Sequence, residues 1–287
     1  MQSDTPPNTN DFKEIDVKRI FQEKNPKLAR LIPGFIYRYI KKIIHQDELN
    51  EILPRITHLE GLEFVREGLR YLDVDIQTQG KEYIPRSGRY IFVANHPLGG
   101  LDGLVFAKEV GDVFPRVKFI VNDILMNLKN LDPIFLPVNK HGRQSFEYVR
   151  KIENAYDSDV QILNFPAGLC SRKVGGKIVD LKWHKNFIVK AKKHQRDVIP
   201  VHISGRNSNF FYNLAKIRKF LGIKSNIEML YLPNEMFKQK SKNIVITFGK
   251  PVSYQTFDKR HKPEEWASLL REFVYDLGAG RRTEFVG

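Results

Sequence analysis

From residue 90 onward, short apolar runs typical of buried strands alternate with longer segments that have helical periodicity. In a chain that alternates strands and helices, the strands form one central sheet and the helices pack against it. The pattern therefore predicts an α/β fold with a mixed, largely parallel sheet flanked by helices. The predicted strands are 90–94, 117–121, 134–138, 160–163, 198–203, 227–232 and 244–248, and the predicted helices among them are 104–110, 144–156, 183–194, 210–221 and 263–277.

The segment before the alternating region has helical periodicity instead. Apolar residues in 28–44 recur at the i, i+3, i+4 spacing of one helix face, and Pro33 is predicted to start or kink that helix. A second amphipathic helix is predicted at 59–72. The first residues are polar and lack the basic and apolar parts of a signal peptide, so we expect a disordered tail. The predicted divisions are a tail at 1–11, an N-terminal helical region at 12–80 and an α/β domain at 81–287.

Composition limits the class of protein. With 287 residues, of which 41% are hydrophobic, the chain can bury a large core. No apolar run approaches the 18 or more residues that a membrane-spanning helix needs. The one cysteine, Cys170, excludes an intramolecular disulfide and fits a reducing compartment. We therefore expect a protein of the cytosol, or one attached peripherally to the cytoplasmic side of a membrane.

Positive charge is concentrated in two segments. The chain carries a net charge of +14, and 172–226 alone contains 14 Lys and Arg residues against two acids. The segment 27–42 has five basic residues and no acid. Such segments attract anionic surfaces, which are either phospholipid headgroups or nucleic acid. The basic amphipathic helix at 28–44 suits a membrane interface, but it equally suits a helix that packs on its own domain.

Two polar turns directly follow two of the predicted strands. Segment 95–103, NHPLGGLDG, follows the first predicted strand, and segment 165–173, FPAGLCSRK, follows the fourth. Ligands of open α/β sheets bind at the carboxyl ends of the strands, so both turns are predicted to form one active-site rim. In the first turn, His96 would act as a general base, and Asp102 would orient it and stabilise the imidazolium.

The spacing of this pair requires a bend in the chain. Residues six apart do not share a helix face, so Gly99 and Gly100 must turn the backbone for His96 to meet Asp102. The alternative is structural, with Asp102 capping the helix that begins near Gly103 and His96 capping a turn.

The basic residues of the second turn are candidates for binding an anion. Ser171, Arg172 and Lys173 are suited to a phosphate or carboxylate, which Arg can contact with two hydrogen bonds. Lys140 and Arg143, after the strand predicted at 134–138, are further candidates. The alternative is that the second turn is simply a basic loop on a basic protein.

These turns resemble the motifs of the lysophospholipid acyltransferase superfamily, which includes glycerolphosphate and acylglycerolphosphate acyltransferases. Its members carry Asn-His with an Asp five residues after the His, and later Phe-Pro-Glu-Gly-Thr-Arg-Ser. The chain departs twice, because Asp102 lies six residues after His96 and Ala167 replaces the usual Glu. The resemblance covers about residues 80–255, and its matching motif residues are Asn95, His96, Gly99, Gly100, Phe165, Pro166, Gly168 and Pro200.

The resemblance implies transfer of a fatty acyl group from a thioester to a lyso-lipid in membrane lipid biosynthesis. The donor would be acyl-CoA or an acyl-carrier protein, and His96 would remove a proton from the acceptor. Divergent branches with the Gly-Gly insertion and Phe-Pro-Ala-Gly include acyltransferases that complete amino-acid-containing lipids. Lysophosphatidic acid and a lyso-aminolipid are therefore both candidate acceptors, and Pro200 would shape the acyl pocket.

Three rival interpretations remain open at this stage. A hydrolase on the same fold would release the acyl chain to water, and a basic nucleic-acid-binding protein would use segment 172–226. Cys170 would be a nucleophile only with His184 or His96 as its base. No cofactor, metal or nucleic acid is expected, and the predicted partners are the acyl donor, the lyso-lipid and an anionic membrane surface.

Overall fold

The computed structural model describes residues 14–24, 26–122, 128–138, 146–223 and 226–287. The predicted sites Lys140 and Arg143 lie outside these ranges. The strands are β1 Asp75–Gln79, β2 Tyr90–Ala94, β3 Val117–Asn122, β4 Phe135–Val138, β5 Gln161–Asn164, β6 Arg172–Val174, β7 Lys177–Val179, β8 Asp197–Ile203 and β9 Asn243–Phe248.

Seven of these strands form one sheet in the order β1-β9-β8-β2-β5-β3-β4. The five strands from β8 to β4 in that order are mutually parallel. Strand β9 is antiparallel to β8 and parallel to β1. The predicted mixed, largely parallel sheet is therefore confirmed.

Helices cover both faces of the sheet and create two apolar clusters. Successive side chains of a strand point to opposite faces, so Phe92 and Ala94 of β2 join one cluster while Ile91 and Val93 join the other. The first cluster includes residues of α5 and α6, and the second includes residues of α8 and α11. The helices are α1 Val17–Lys24, α2 Pro26–Leu31, α3 Gly34–Ile43, α4 Gln46–Ile56, α5 Gly61–Tyr71, α6 Gly100–Gly111, α7 Phe146–Asp157, α8 Asn186–His194, α9 Asn209–Phe220, α10 Leu232–Phe237 and α11 Pro263–Gly278.

The N-terminal region is a set of short helices. The apolar pattern of 28–44 is divided between α2 and α3, and Pro33 immediately precedes α3 in an extended conformation. The predicted break at Pro33 is confirmed. Among the described helices, none combines the length and the apolar character that crossing a bilayer requires.

Two secondary-structure predictions are wrong. Residues 227–232 do not form a strand, because Ile227–Tyr231 is a 3-10 helix that leads directly into α10. Residues 75–79 are not helical, because they form β1 and pair with β9 at the edge of the sheet. The two-stranded hairpin of β6 and β7 is an additional element that the apolar pattern did not indicate.

Candidate active site

The first polar turn starts from a fixed point at the end of β2. Asn95 is buried, and its side-chain amide exchanges two hydrogen bonds with the backbone of Ile203 at the end of β8. Asn95 Nδ2 donates to the Ile203 carbonyl at 2.9 Å, and the Ile203 N–H donates to Asn95 Oδ1 at 2.7 Å. The ends of two neighbouring parallel strands are thus joined beside His96.

The turn itself depends on Gly99. Its φ angle is +83°, and a Cβ atom at this position would lie 2.8 Å from Leu232 Cδ2. Glycine is the residue that tolerates both this backbone region and this close approach. Helix α6 begins at the next residue, so the bend places Asp102 in its first turn.

The bend brings His96 and Asp102 into direct contact. His96 Nδ1 lies 3.0 Å from Asp102 Oδ1 and 3.1 Å from Oδ2. The Asp102 side chain is fully buried, whereas the His96 side chain is 17% exposed. Asp102 Oδ2 also accepts the N–H groups of Leu98 and Gly99 at 2.7 and 3.3 Å. The same carboxylate therefore caps the helix and pairs with His96, so the structural role and the proposed catalytic role of Asp102 do not exclude each other.

An aromatic ring fixes the other side of the imidazole. The rings of His96 and Phe165 are stacked, with centroids 4.0 Å apart and planes at 16°. Phe165 in turn packs against Phe106 and Phe119, with centroids 5.6 and 5.2 Å away. The two polar turns therefore meet at this stack, as their positions after β2 and β5 predict.

The electrostatic surroundings favour the protonated ring of His96. Burial by itself lowers the pKa of His96, but the interactions of the ring with Asp102 and Cys170 together outweigh burial, and the pKa lies well above its usual value. The Cys170 thiol also interacts with the ring and acts in the same direction on this pKa. When Nδ1 carries the proton shared with Asp102, the lone pair is on Nε2, which is then the atom able to accept a proton.

The basic residues of the second turn make contacts within the protein. Ser171 is buried and donates its N–H to the His96 carbonyl at 2.7 Å. The Arg172 guanidinium donates to the Cys170 carbonyl at 2.7 Å and to Glu228 Oε1 at 3.0 Å. Lys173 lies half-buried in β6. The structure thus brings Ser171 to the His96 backbone and places Arg172 in an ion pair, while acceptor binding by these residues stays a prediction.

The remaining motif residues have structural contacts. The Pro166 carbonyl accepts the His184 N–H at 3.0 Å, and the Gly168 N–H closes a turn on the Phe165 carbonyl at 2.9 Å. Pro200 lies buried in β8, one residue before the antiparallel pairing with β9 begins. No group of three or more potential metal ligands occurs among the described residues.

The sequence reasoning missed Asp180, which follows β7. Its buried carboxylate accepts the His96 N–H at 3.1 Å and the Ser171 hydroxyl at 2.6 Å. The local sequence carries no signal for these contacts, since Asp180 lies 84 residues from His96. The only sequence signal for Asp180 is that it is one of two acids in the strongly basic segment 172–226.

Comparisons with known proteins show which family the chain belongs to. The profile of a family described as "Acyltransferase" matches residues 19–279. The chain is 47% identical to a lyso-glycine lipid O-acyltransferase of Bacteroides thetaiotaomicron, over 92% of this chain and 97% of the relative. It is 46% identical to a protein of the same name from Phocaeicola vulgatus, over 92% of this chain and 95% of the relative.

A solved structure is also similar. It is the 1-acyl-sn-glycerophosphate acyltransferase PlsC from Thermotoga maritima, with 19% identity and a TM-score of 0.49 over 91% of this chain and 86% of that one. The family match and the curated relatives show that this chain is an acyltransferase and belongs to the lysophospholipid acyltransferase superfamily whose motifs it carries.

Proposed function

We propose that the protein transfers a fatty acyl group from an acyl thioester to a hydroxyl of a lyso-glycine lipid, with His96 as general base and Asp102 as its partner. The observation that carries the mechanism is the contact of His96 Nδ1 with Asp102, at 3.0 Å. This contact leaves Nε2 as the nitrogen that exchanges a proton with the substrate.

The transfer proceeds without an enzyme nucleophile. The acceptor hydroxyl attacks the thioester carbonyl carbon while His96 Nε2 takes the hydroxyl proton. An ester bond forms as the carbon–sulfur bond breaks, and the imidazolium returns the proton to the departing thiolate. Asp102 stabilises the imidazolium between these steps, because its fully buried carboxylate lies beside the ring.

Two observations support an amino-acid-containing acceptor. The curated relatives act, by their names, on a lyso-glycine lipid. In addition, Ala167 is buried in the apolar cluster that contains Trp183. A Glu at this position would place a carboxylate in that cluster, which is unfavourable without a partner. The acceptor is therefore held differently from the glycerol phosphate of the common family pattern.

Product analysis tests this function. The purified enzyme is given a lyso-glycine lipid or lysophosphatidic acid, with acyl-CoA or acyl-carrier protein as donor, and products are identified by mass spectrometry. We expect diacylated glycine lipid from the wild-type enzyme. His96→Ala should lose about 10²–10⁴-fold in turnover, which is the usual contribution of proton transfer.

Three outcomes contradict parts of the proposal. Free fatty acid as the main product indicates the rival hydrolase. Preferred acylation of lysophosphatidic acid contradicts the acceptor assignment. Near-normal turnover by a folded His96→Ala variant removes His96 from the mechanism, and circular dichroism of this variant serves as the folding control.

An exposed apolar surface supports action at a membrane. Tyr231 joins α3 to α9, because its hydroxyl lies 2.7 Å from that of Tyr39 and its ring lies 4.9 Å from that of Phe210. On the two helices joined here, Phe35 of α3 is 63% exposed and Phe220 of α9 is 90% exposed. We call this the apolar surface, and its exposed members are Leu31, Phe35, Tyr39, Phe210, Ile217, Phe220, Leu221 and Leu230.

Exposed basic residues accompany the apolar surface. Arg38 and Lys42 lie on α3, and Lys216 and Lys219 lie on α9. Aromatic and aliphatic residues combined with Lys and Arg on a helix are typical of binding to anionic lipid surfaces. The protein is therefore proposed to work as a peripheral protein on the cytoplasmic side of the membrane.

A further inference from the structure

Asp180 is a buried carboxylate that the proposed chemistry does not use. Its side chain is 1% exposed and lies directly after the hairpin of β6 and β7. Oδ1 accepts the His96 N–H at 3.1 Å and the Ser171 hydroxyl at 2.6 Å, and Oδ2 accepts the Trp183 Nε1–H at 2.9 Å. Within the described part of the chain, the partners of both oxygens are neutral donors.

The backbone of Asp180 is held as firmly as its side chain. Its N–H donates to the Tyr275 hydroxyl at 2.7 Å, and its carbonyl accepts a hydrogen bond from Arg271 at 2.5 Å. Both partners belong to α11, which packs against the sheet as part of the second apolar cluster. Asp180 therefore connects the active-site turn to a rigid helix of the core.

Both backbone polar groups of His96 are hydrogen-bonded to the segment 171–180. The His96 N–H binds Asp180, and the His96 carbonyl accepts the Ser171 N–H at 2.7 Å. The side chain is fixed separately, by Asp102 at its edge and Phe165 on its face. Backbone and ring are thus fixed by different residues, and the segment that fixes the backbone is 171–180.

A buried carboxylate with neutral partners loses its hydration, so it is an energetically costly way to hold a turn. Burial raises the pKa of Asp180, and its hydrogen bonds and the nearby His96 act in the opposite direction. An amide cannot take its place, because both oxygens accept from donors and an amide has only one acceptor oxygen. The carboxylate is therefore explained by the three donors that it holds together, which are the His96 backbone, Ser171 and Trp183.

We propose that Asp180 is a positioning residue for acyl transfer, which holds the His96 backbone against the second polar turn and keeps the imidazole at its reacting position. This inference rests on the proposed role of His96 as the base. Because reacting atoms must meet within a few tenths of an ångström, a small displacement of the base costs turnover and leaves substrate binding unchanged.

The test is the variant Asp180→Asn, which keeps the shape of the side chain and removes its charge. In either orientation its amide nitrogen faces a donor, which is Trp183 on one side and His96 with Ser171 on the other, so the network that holds the His96 backbone cannot be kept complete. We expect kcat to fall on the order of 10²-fold, with the KM values of donor and acceptor within about twofold of wild type. Glu109→Gln is the matched control, because Glu109 is also a buried carboxylate but contacts Thr78 and Lys108 instead of the active site.

A double-mutant cycle separates positioning from general damage to the fold. In a His96→Ala background, Asp180→Asn should cause no further loss of residual turnover, because there is no base left to position. An equal loss in both backgrounds, an unchanged kcat in the single variant, or an effect on KM alone overturns the proposal. If the His96→Ala variant alone remains active, the proposed base itself is contradicted. The turnover of this single variant is therefore measured before the cycle is completed.

A second variant covers the case in which Asp180→Asn does not fold. Trp183→Phe removes only the donor to Oδ2 and keeps an aromatic ring in the cluster. It should lower kcat less than Asp180→Asn would, and the loss should again disappear in the His96→Ala background. A loss that persists in that background overturns the proposal.

Discussion

At the scale of single residues, the proposed role of His96 as a general base makes turnover depend on its protonation. A general base must be neutral to accept a proton, and Asp102 holds the pKa of His96 well above its usual value. At a given pH, more of the free enzyme therefore carries imidazolium than an ordinary histidine would. Raising the pH increases the fraction that is able to react.

The pH profile of kcat/KM tests this statement. We expect kcat/KM to rise with pH through an apparent pKa above 6.5, because this parameter reports the ionisation of the free enzyme. Asp102→Asn removes the charge that raises the pKa of His96, so its acid limb should move to lower pH and its maximum should fall. Glu109→Gln, on the same helix, should leave the limb in place. An unmoved limb in Asp102→Asn would show that another group is titrating.

Cys170 distinguishes direct transfer from a covalent intermediate. The thiol is fully buried and interacts with the His96 ring, so its position alone allows both mechanisms. Direct transfer predicts that Cys170→Ala keeps turnover within about tenfold, since a buried thiol contributes mainly packing. Intact-mass spectrometry after incubation with the donor alone should find no acylated protein. An acyl adduct on Cys170, together with an inactive folded variant, would refute direct transfer.

At the scale of elements, an arginine–glutamate cluster joins the β6–β7 hairpin to the 3-10 helix. Glu228 is fully buried and lies 3.0 Å from Arg172 and 2.8 Å from Arg218. The Arg172 guanidinium also lies over the Phe211 ring of α9, at 5.4 Å from its centroid. Three elements around the active site are thus held by one acid.

The stability of this cluster can be measured directly. Arg172→Ala should lower the free energy of unfolding by up to roughly 3–5 kcal/mol, the usual cost of removing one partner of a buried ion pair, with Arg218 retaining part of the interaction. Urea denaturation of Arg172→Ala, Glu228→Gln and the double variant should give a non-additive result. Lys173→Ala, the next residue of β6, is the control and should change stability little. A rise in acceptor KM for Arg172→Ala at unchanged stability would favour the predicted acceptor-binding role instead.

The same cluster explains why one element was predicted wrongly. Residues 227–232 form a short apolar run that resembles a buried strand, with Glu228 as its single charged residue. In the structure Glu228 is fully buried because two arginines bind it, while Leu230 is more than half exposed. An apolar run in the sequence cannot reveal a charged residue that is buried with its partners. Likewise β1, a polar edge strand, gave no apolar signal.

The central strands and the first polar turn were predictable for a physical reason. The strand that became β2 is apolar on both faces because it lies in the middle of a sheet covered on both sides. The turn after it is marked by Gly99, and the bend joins His96 to Asp102 within six residues. Asp180 was not predictable, since its contacts depend on how distant segments pack.

At the scale of the whole molecule, His202 links stability to pH. It lies on β8 next to α11, and burial lowers its pKa to about 4. Because the folded-state pKa is below the unfolded value of 6.5, the folded protein resists protonation that the unfolded chain accepts. The contribution of His202 to the free energy of unfolding is therefore fully present above pH 6.5 and is lost as the pH falls from 6.5 toward 4.

This link predicts a difference between two histidine variants. Relative to His202→Gln, the wild-type unfolding free energy should decrease between pH 7 and pH 5, by up to about 1.4 kcal/mol per unit of pKa difference traversed. His202→Gln removes the titrating group and should flatten this dependence, whereas His58→Gln, at an exposed position, should follow the wild type. Chemical denaturation at several pH values provides the measurement. Parallel curves for wild type and His202→Gln would contradict the assignment.

Membrane binding is also a property of the whole molecule. We expect sedimentation with anionic vesicles that weakens as salt increases, because each basic residue near such a surface contributes about 1 kcal/mol and the attraction is screened. Phe220→Ser and Lys219→Glu should reduce the bound fraction. Lys192→Glu, with the same change of charge on α8, is the control. Equal binding to neutral and anionic vesicles would contradict the electrostatic part.

The position of α9 has a consequence for the path of the lipid. The inner face of this helix reaches the catalytic turn, because the Tyr212 hydroxyl accepts the Asn207 N–H at 3.0 Å and Asn207 Nδ2 donates to the Pro97 carbonyl at 3.2 Å. The same helix carries the exposed residues Ile217 and Phe220 of the apolar surface. Helix α9 therefore links the turn that holds His96 to the proposed bilayer contact. In the proposed reaction, an acceptor would lift its hydroxyl and headgroup out of the leaflet beside this helix, while its first acyl chain stays in the leaflet to which the product returns.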